Sequence, residues 1–189
     1  MIDITKLDKR KTYVCCEFGT SNISKVIKTL TARYAPSCKK VPSHIWVLLY
    51  NKSDKRWWVY ESHLKAVKEY GLPSGVRSYP LDTLILAMPN VIMSSEMFDI
   101  KGLDRHLLEL LIGQPYGTGD IEALMRAALF NRNGKQKDRK GIICSEYVAM
   151  VYPTICEWFD LPSWCITPAH WYEYLTTRDK KDIIINLEI

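Results

Sequence analysis

The sequence lacks the features that would place it in a membrane or in a secretory pathway. It has no run of about 18 or more apolar residues, so it predicts no transmembrane helix. The first residues, MIDITKLDKRKTY, carry charges without an apolar stretch behind them, which excludes an ordinary secretory signal there. We therefore expect a protein that is cytoplasmic or is delivered without a signal peptide, for example one encoded by a phage.

Repeats, low-complexity tracts and Pro/Gly-rich linkers are also missing. A chain of 189 residues without such divisions predicts one domain, over residues 1–189. The apolar fraction of 47% and the charged fraction of 25% are ordinary for a globular chain. The net charge of +5 permits an anionic partner without requiring one.

Cysteine is present six times, but no CxxC pair occurs. Cys15 and Cys16 are adjacent on a strand-like segment, where neighbouring side chains point to opposite faces and make poor zinc co-ligands. Without a signal peptide, we expect reduced thiols. The sequence predicts no metal site and no organic cofactor.

Alternating and periodic apolar residues predict a mixture of strands and helices. SHIWVLLY (43–50) and RWWVYE (56–61) flank the polar stretch NKSDK, which is typical of a hairpin. Further strands are predicted at TYVCCEF (12–18), SGVRSYP and TLILAM. Helices are predicted at 20–34, capped by Ser21 or Asn22; around 103–111, ending at Gly113; at 120–130, capped by Asp120; from Cys144 to about Pro153; and after Thr167-Pro168. The expected fold class is α+β, with a small, mostly antiparallel sheet and packed helices.

Cys144 lies where an apolar strand-like run ends and a helix begins, in RKGIICSEYVAM. Unpaired amides at a helix start favour negative charge, so the position suits a thiolate nucleophile. A small buried cysteine would fit the same pattern, and the choice depends on whether a base lies nearby.

His44 is the candidate base, and Glu61 is the candidate residue that orients it. His44 begins one strand of the predicted hairpin and Glu61 ends the other. If the numbers of paired residues on the two strands sum to about 105–106, His44 and Glu61 lie roughly opposite each other. A shift of the pairing by one residue would place their side chains on opposite faces of the sheet. His63 is the competing base, in a segment that reads as an exposed turn. We expect His170 to be a packing or surface residue and His106 to be solvated.

These residues resemble the YiiX-like group of circularly permuted papain-like cysteine hydrolases, relatives of the NlpC cell-wall peptidases. The resemblance lies in SHIWVLLY, VYESHLKAV, PYGTGD, ICSEYVAMVY and ITPAHWYEYL, which span residues 12–176 together with the elements between them. It implies that Cys144 is the nucleophile, His44 the general base and then acid, and Glu61 the residue that orients His44. Ile45-Trp46 replaces the small glycine that often follows the histidine, and TYVCCEFG replaces the usual Gly-Asp pair of the first strand.

The resemblance implies acyl transfer, with amide bonds of peptidoglycan peptides as the first substrate class and lipid acyl bonds as the alternative. A binding module that keeps the shape without turnover is the second class of function. The basic segment 131–141 is either a solvated loop or a gate that attracts an anionic substrate. Nucleic acid is disfavoured because the aromatic residues are not interleaved with positive charge. Tyr116 is either a pocket residue or a structural turn residue; no substrate-binding residue and no oligomeric state is predicted.

Overall fold

The centre of the molecule is an antiparallel sheet. The computed structural model describes residues 7–118, 141–178 and 185–186. Its strands are β1 (Thr12–Glu17), β2 (His44–Asn51), β3 (Arg56–His63), β4 (Gly75–Pro80), β5 (Ser95–Ile100) and the two-residue β6 (Ile185–Asn186). The order across the sheet is β4-β3-β2-β1-β5-β6, and all neighbours are antiparallel. The expected α+β class with a mostly antiparallel sheet is confirmed.

Helices pack on both faces of this sheet. They are α1 (Asn22–Thr31), α2 (Leu81–Ala87), α3 (Pro89–Met93), α4 (Arg105–Leu110), α5 (Cys144–Val151), α6 (Thr154–Phe159) and α7 (Pro168–Thr177). Ser21 caps α1 and Thr167 caps α7, as the sequence predicts. The predicted helix 120–130 and the basic residues 131–140 lie outside the described residues. Within the described ranges, no helix is both long and apolar enough to cross a bilayer.

Strand alternation divides the core into two layers. Ile45 and Val47 of β2 face one cluster, which includes Tyr147 and Val148 of α5. Trp46 and Leu48 face the other, which includes Leu81 and Leu84 of α2. Cys15 and Cys16 belong to opposite layers, as expected for adjacent strand residues. The helix that begins with Cys144 is therefore buried against one face of the hairpin strands.

The strand predicted at TLILAM is wrong: this segment forms helix α2. Leu81 and Leu84 lie one helical turn apart and are buried, whereas Leu86 is 69% exposed. A short apolar run does not distinguish a strand from a helix, and here the spacing of the buried leucines settles the choice. Strand β5, with the sequence SEMFDI, is not among the strands that the sequence predicts.

The register of the hairpin differs from the expected one by a small shift. Val47 pairs with Tyr60 and Asn51 with Arg56, so the residue numbers of each pair sum to 107 rather than to 105–106. A shift of two residues keeps every side chain on its face, because the side-chain period of a strand is two. His44 and Glu61 are consequently diagonal neighbours on one face, not directly opposed.

Residues 113–118 pack against the start of β4. Val76 donates its amide to the Gln114 carbonyl at 2.8 Å, and the Gly113 amide returns a bond to the Val76 carbonyl at 2.9 Å. Gly75 has φ +111°, and a Cβ at this position would collide with the Gln114 carbonyl oxygen. Only glycine therefore allows the two segments to approach so closely.

Gly75→Ala is expected to lower the free energy of unfolding by about 3 kcal/mol, because it combines backbone strain with a backbone collision. The matched control is Gly71→Ala. Gly71 also has a positive φ, +66°, but no atom lies within 4 Å of its Cβ position, so the loss there should be about 1 kcal/mol. Urea denaturation measures both variants, and equal losses would contradict tight packing of residues 113–118 on β4.

Candidate active site

Cys144 is the first residue of α5, and Ile143 before it has no side chain that can cap the helix. The backbone amides of the first helical turn therefore have no hydrogen-bond acceptor from an N-cap side chain. Cys144 itself is 5% exposed. A thiol at this position lies in the positive field of the helix start, which stabilises negative charge.

Three buried hydrogen bonds fix the helix that carries Cys144. The Ser145 hydroxyl donates to the Ile166 carbonyl at 2.7 Å, and the Trp171 indole donates to the Ser145 carbonyl at 3.0 Å. The Tyr147 hydroxyl donates to the Leu108 carbonyl at 2.7 Å. Because these partners come from two segments on either side of α5 in the sequence, one in α4 and one at the start of α7, the position of α5 depends on both.

The chain leading to Cys144 is held between β3 and residues 115–117. The Ile142 amide donates to the Pro115 carbonyl at 2.9 Å, and the Ser62 hydroxyl of β3 donates to the Ile142 carbonyl. A Cβ on Gly141 would lie 2.6 Å from backbone atoms of residues 115–117. The half-buried Tyr116 thus lies in a segment that supports residues 141–143 through its backbone, which favours the structural interpretation of this tyrosine.

His44, Glu61 and Cys144 are brought together at one end of the β2–β3 hairpin. His44 Nε2 lies 2.8 Å from Glu61 Oε2, so the predicted contact between these two residues is present. Cys144 is the other group next to the His44 ring, and it acts on the pKa of His44 through its charge and through side-chain hydrogen bonding. Since Nε2 faces Glu61, the nitrogen left for Cys144 is Nδ1. The imidazole therefore bridges the carboxylate and the thiol.

The charges around His44 favour its protonated form. Burial acts to lower the pKa of His44, but negative charge on Cys144 and hydrogen bonds to Cys144 and Glu61 outweigh burial and raise it well above the ordinary value. An imidazolium next to a cysteine stabilises the thiolate by charge and by hydrogen bonding. The site is suited to an imidazolium–thiolate pair, which is the reactive form of a nucleophilic cysteine.

Glu61 is 2% exposed and is held by two further side chains of β4. Arg77 donates from Nε at 2.9 Å and from Nη2 at 2.7 Å to Glu61 Oε1, and the Tyr79 hydroxyl donates to the same oxygen at 2.6 Å. Burial acts to raise the pKa of Glu61, but the hydrogen bond with His44 and the charges of His44 and Arg77 hold it well below its usual range. The carboxylate is thus kept ionised with Oε2 aimed at His44.

Arg77 and Tyr79 are not among the candidate residues from the sequence, although the sequence carries a signal for both. An arginine inside the strand SGVRSYP must be paired if it is buried, and Arg77 is 2% exposed. Alternation places Arg77 and Tyr79 on one face, and the ladder sets Arg77 opposite Glu61. The missing information was which strand lies beside β3.

The other histidines fall outside the bridge from Glu61 to Cys144. His63 is the last residue of β3 rather than part of an exposed turn; it is half-buried, and its ring stands edge-on to His44 with centroids 5.1 Å apart. Burial lowers the pKa of His63 to about 4, so this ring is neutral and a poor base. His170 packs between Tyr34 and Phe159 near the start of α7, and His106 is exposed, both as expected.

His44, Glu61 and His63 also form the kind of cluster that can hold a metal ion, since one ligand atom from each lies within 4.8 Å of the others. The charge balance opposes this use. Glu61, the one anionic ligand of the set, is already paired with Arg77 and bonded to His44, so a dication would have to displace these partners. The residues fit a hydrogen-bonded catalytic group better than a metal centre.

Comparison with known proteins leaves this geometry as the main guide to function. No model of a protein family matches the chain. A search of curated proteins likewise finds no match.

Proposed function

We propose that the protein is a cysteine hydrolase that works by acyl transfer through Cys144, His44 and Glu61, in a permuted papain-like arrangement. The observation that carries the proposal is the continuous contact from Arg77 through Glu61 and His44 to Cys144 at a helix start. The chain order histidine, glutamate, cysteine supports the permuted arrangement. Each of these residue types is common by itself, but the four together have the geometry of an activated nucleophile.

In the proposed reaction the Cys144 thiolate attacks the carbonyl carbon of the substrate, and the carbonyl oxygen becomes an oxyanion. His44 donates its proton to the leaving group, which departs as an amine or alcohol and leaves a thioester on Cys144. Water then attacks the thioester while His44 takes up one of its protons. Collapse of this second intermediate releases a carboxylic acid and restores the thiolate–imidazolium pair.

The oxyanion is stabilised by the helix start. The amide of Cys144 is free of a capping side chain from Ile143, so it is available as a donor. Glu61 does not take the proton in this scheme. It orients the His44 ring and stabilises the imidazolium, and Arg77 and Tyr79 hold its carboxylate in place.

The first substrate class is an amide of peptidoglycan-type peptide, as the sequence resemblance implies. One structural observation favours the lipid acyl alternative. The apolar stripe of α1 is covered only in part: Ile23 is 53% and Val26 41% exposed, whereas Ile27 and Leu30 are half-buried. This helix begins beside Gly19 and β1, and β1 pairs with the strand of His44, so an acyl chain bound at the site could cover it.

The reactivity of Cys144 toward thiol reagents distinguishes a hydrolase from a binding module. Iodoacetamide at about pH 6.5 should modify Cys144 before the other five cysteines, which are also free thiols. Burial raises the pKa of Cys15 and Cys16 well above the ordinary value and also raises that of Cys38 and Cys156, so these should react slowly. Peptide mass spectrometry measures the order of labelling.

His44→Ala should slow labelling of Cys144 by on the order of tenfold, because the paired imidazolium is lost. His106→Ala is the matched control, since His106 is exposed on α4 and away from the site. A chelator such as EDTA should leave the rate of Cys144 labelling unchanged in both variants. The hydrolase proposal would have to be abandoned if Cys144 reacted no faster than the other cysteines.

A further inference from the structure

Glu17 is a second carboxylate next to His44 and has no part in the mechanism above. It ends β1, and the ladder between β1 and β2 pairs Glu17 directly with His44. Directly paired residues share a face of the sheet, so Glu17 and Glu61 flank His44 from the two neighbouring strands. The sequence analysis does not single out Glu17.

Within the described ranges, the Glu17 carboxylate has no cation of its own. None of the ion pairs formed within the described residues includes it. The hydrogen bonds recorded for Glu17 in that part of the chain use its main chain, as in the bond from the Ser43 amide to the Glu17 carbonyl at 2.8 Å. The charge of Lys28 acts to lower the pKa of Glu17, but its Nζ donates to the Gly19 carbonyl at 2.8 Å.

The surroundings of Glu17 are costly for an unpaired charge. Burial raises the pKa of Glu17, while the positive charge of His44 acts to lower it and the negative charge of Glu61 acts to raise it. The side chain is nevertheless only half-buried, so it remains open to a ligand. An uncompensated charge beside a reactive pair is the kind of group that active sites retain for binding or catalysis.

Other oxygen atoms lie near the Glu17 carboxylate. Glu17 Oε1, Ser24 Oγ and Ser43 Oγ lie 2.9, 2.6 and 3.0 Å from the position that a Cβ on Gly19 would occupy. The absence of a side chain on Gly19 leaves these three oxygens room to stand together. Oxygen acceptors grouped around a carboxylate are the complement of an N–H donor with positive charge.

We propose that Glu17 is a specificity-determining residue that binds a cationic group of the substrate, an ammonium, on the side of His44 opposite to Glu61. The inference rests on the proposed function, since it places this ammonium on a molecule that reacts with Cys144. It assigns the substrate a positive charge close to the scissile carbonyl. The hydroxyls of Ser24 and Ser43 accept further N–H bonds from the same group.

Charged thiol reagents test the proposal without a known substrate. The probes are three methanethiosulfonates that transfer a trimethylammonium-ethylthio, a sulfonato-ethylthio or a methylthio group to Cys144. In each case the thiolate breaks the S–S bond of the reagent, a mixed disulfide forms on Cys144, and methanesulfinate leaves. The rate of modification of Cys144 is followed by peptide mass spectrometry in the full-length protein. The measured quantity is the rate of Cys144 modification by the cationic reagent divided by the rate with the anionic reagent. Charges that all variants share contribute equally to this ratio, so a difference between variants reports the substituted residue.

Glu17→Gln should lower this ratio by about tenfold at low salt, since one negative charge beside His44 is removed. The difference should shrink as salt is added. The neutral reagent should react with the variant and the parent at the same rate. Glu157→Gln is the matched control, because Glu157 is exposed on α6, and it should leave the ratio unchanged.

An unchanged ratio in Glu17→Gln would overturn the proposal. So would an equal fall in all three rates, because Glu17 would then act through His44 and not on the cation. Failure of the proposed hydrolase is a separate result. It would be seen in the parent protein as a Cys144 that reacts with the neutral reagent no faster than the other cysteines, whatever the charge ratio.

Discussion

Cys144→Ala is expected to abolish hydrolysis of an activated ester such as 4-nitrophenyl acetate, with the rate falling to that of the buffer alone. The reason is that no other group in the proposed mechanism can form the acyl intermediate. Cys144→Ser should be nearly inactive as well, because a hydroxyl is far harder to deprotonate than a thiol. Release of nitrophenol measures both rates, and intact-protein mass spectrometry detects the acyl group on the parent protein.

The loss must come from chemistry and not from unfolding. Replacing one sulfur by hydrogen removes little volume, so the free energy of unfolding should change by about 1 kcal/mol or less. Cys156→Ala, at a partly buried thiol of α6, serves as the control and should keep its activity. Hydrolysis that persisted in Cys144→Ala would assign the activity to another group and would leave Cys144 as a small buried residue.

Arg77→Leu should cause the largest loss of stability, about 3–5 kcal/mol, because it removes the guanidinium paired with the buried Glu61 carboxylate and leaves only His44 beside it. Arg77→Lys keeps the charge but loses the two-pronged contact from Nε and Nη2, so its loss should be smaller. Urea denaturation at neutral pH compares the two variants. A leucine variant as stable as the lysine variant would show that Arg77 is not the counter-charge of Glu61.

The pH dependence of stability provides a second measure of the same pair. The pKa of Glu61 is lower in the folded protein than in the unfolded chain, where it is about 4.3. The stabilisation is therefore fully present above that unfolded value and is lost as the pH falls below it towards the folded value. Arg77→Leu raises the folded pKa, so the variant should lose less stability than the parent between neutral pH and about pH 3.

The parts of the site that the sequence predicts are those defined by local patterns. The β2–β3 hairpin follows from two apolar runs around a polar turn, and the start of α5 follows from the change in periodicity at Cys144. The contact between His44 and Glu61 is present although the expected register was displaced. The displaced register does not remove the contact, because a shift of two residues leaves the side chains of His44 and Glu61 on the same face of the sheet.

Contacts between elements that are distant in sequence could not be predicted in the same way. The neighbour of β3 on its outer side is β4, and only that pairing brings Arg77 to Glu61. The position of Glu17 depends on β1 lying between β2 and β5, and β5 was not predicted. Helix α2 was read as a strand because its apolar residues are few and consecutive. Each omission concerns tertiary pairing, which overrides or supplements local preference.

The bond from Ser62 to the Ile142 carbonyl has a consequence for how the protein folds. It joins residues 80 positions apart, whereas His44 and Glu61 are separated by only 17. Closing the shorter loop costs less entropy, so the hairpin with its histidine and glutamate can form before the segment that carries Cys144 docks. A partly folded chain would then hold the base without the nucleophile, and the thiol would acquire its reactive partner only when the last long-range contacts close.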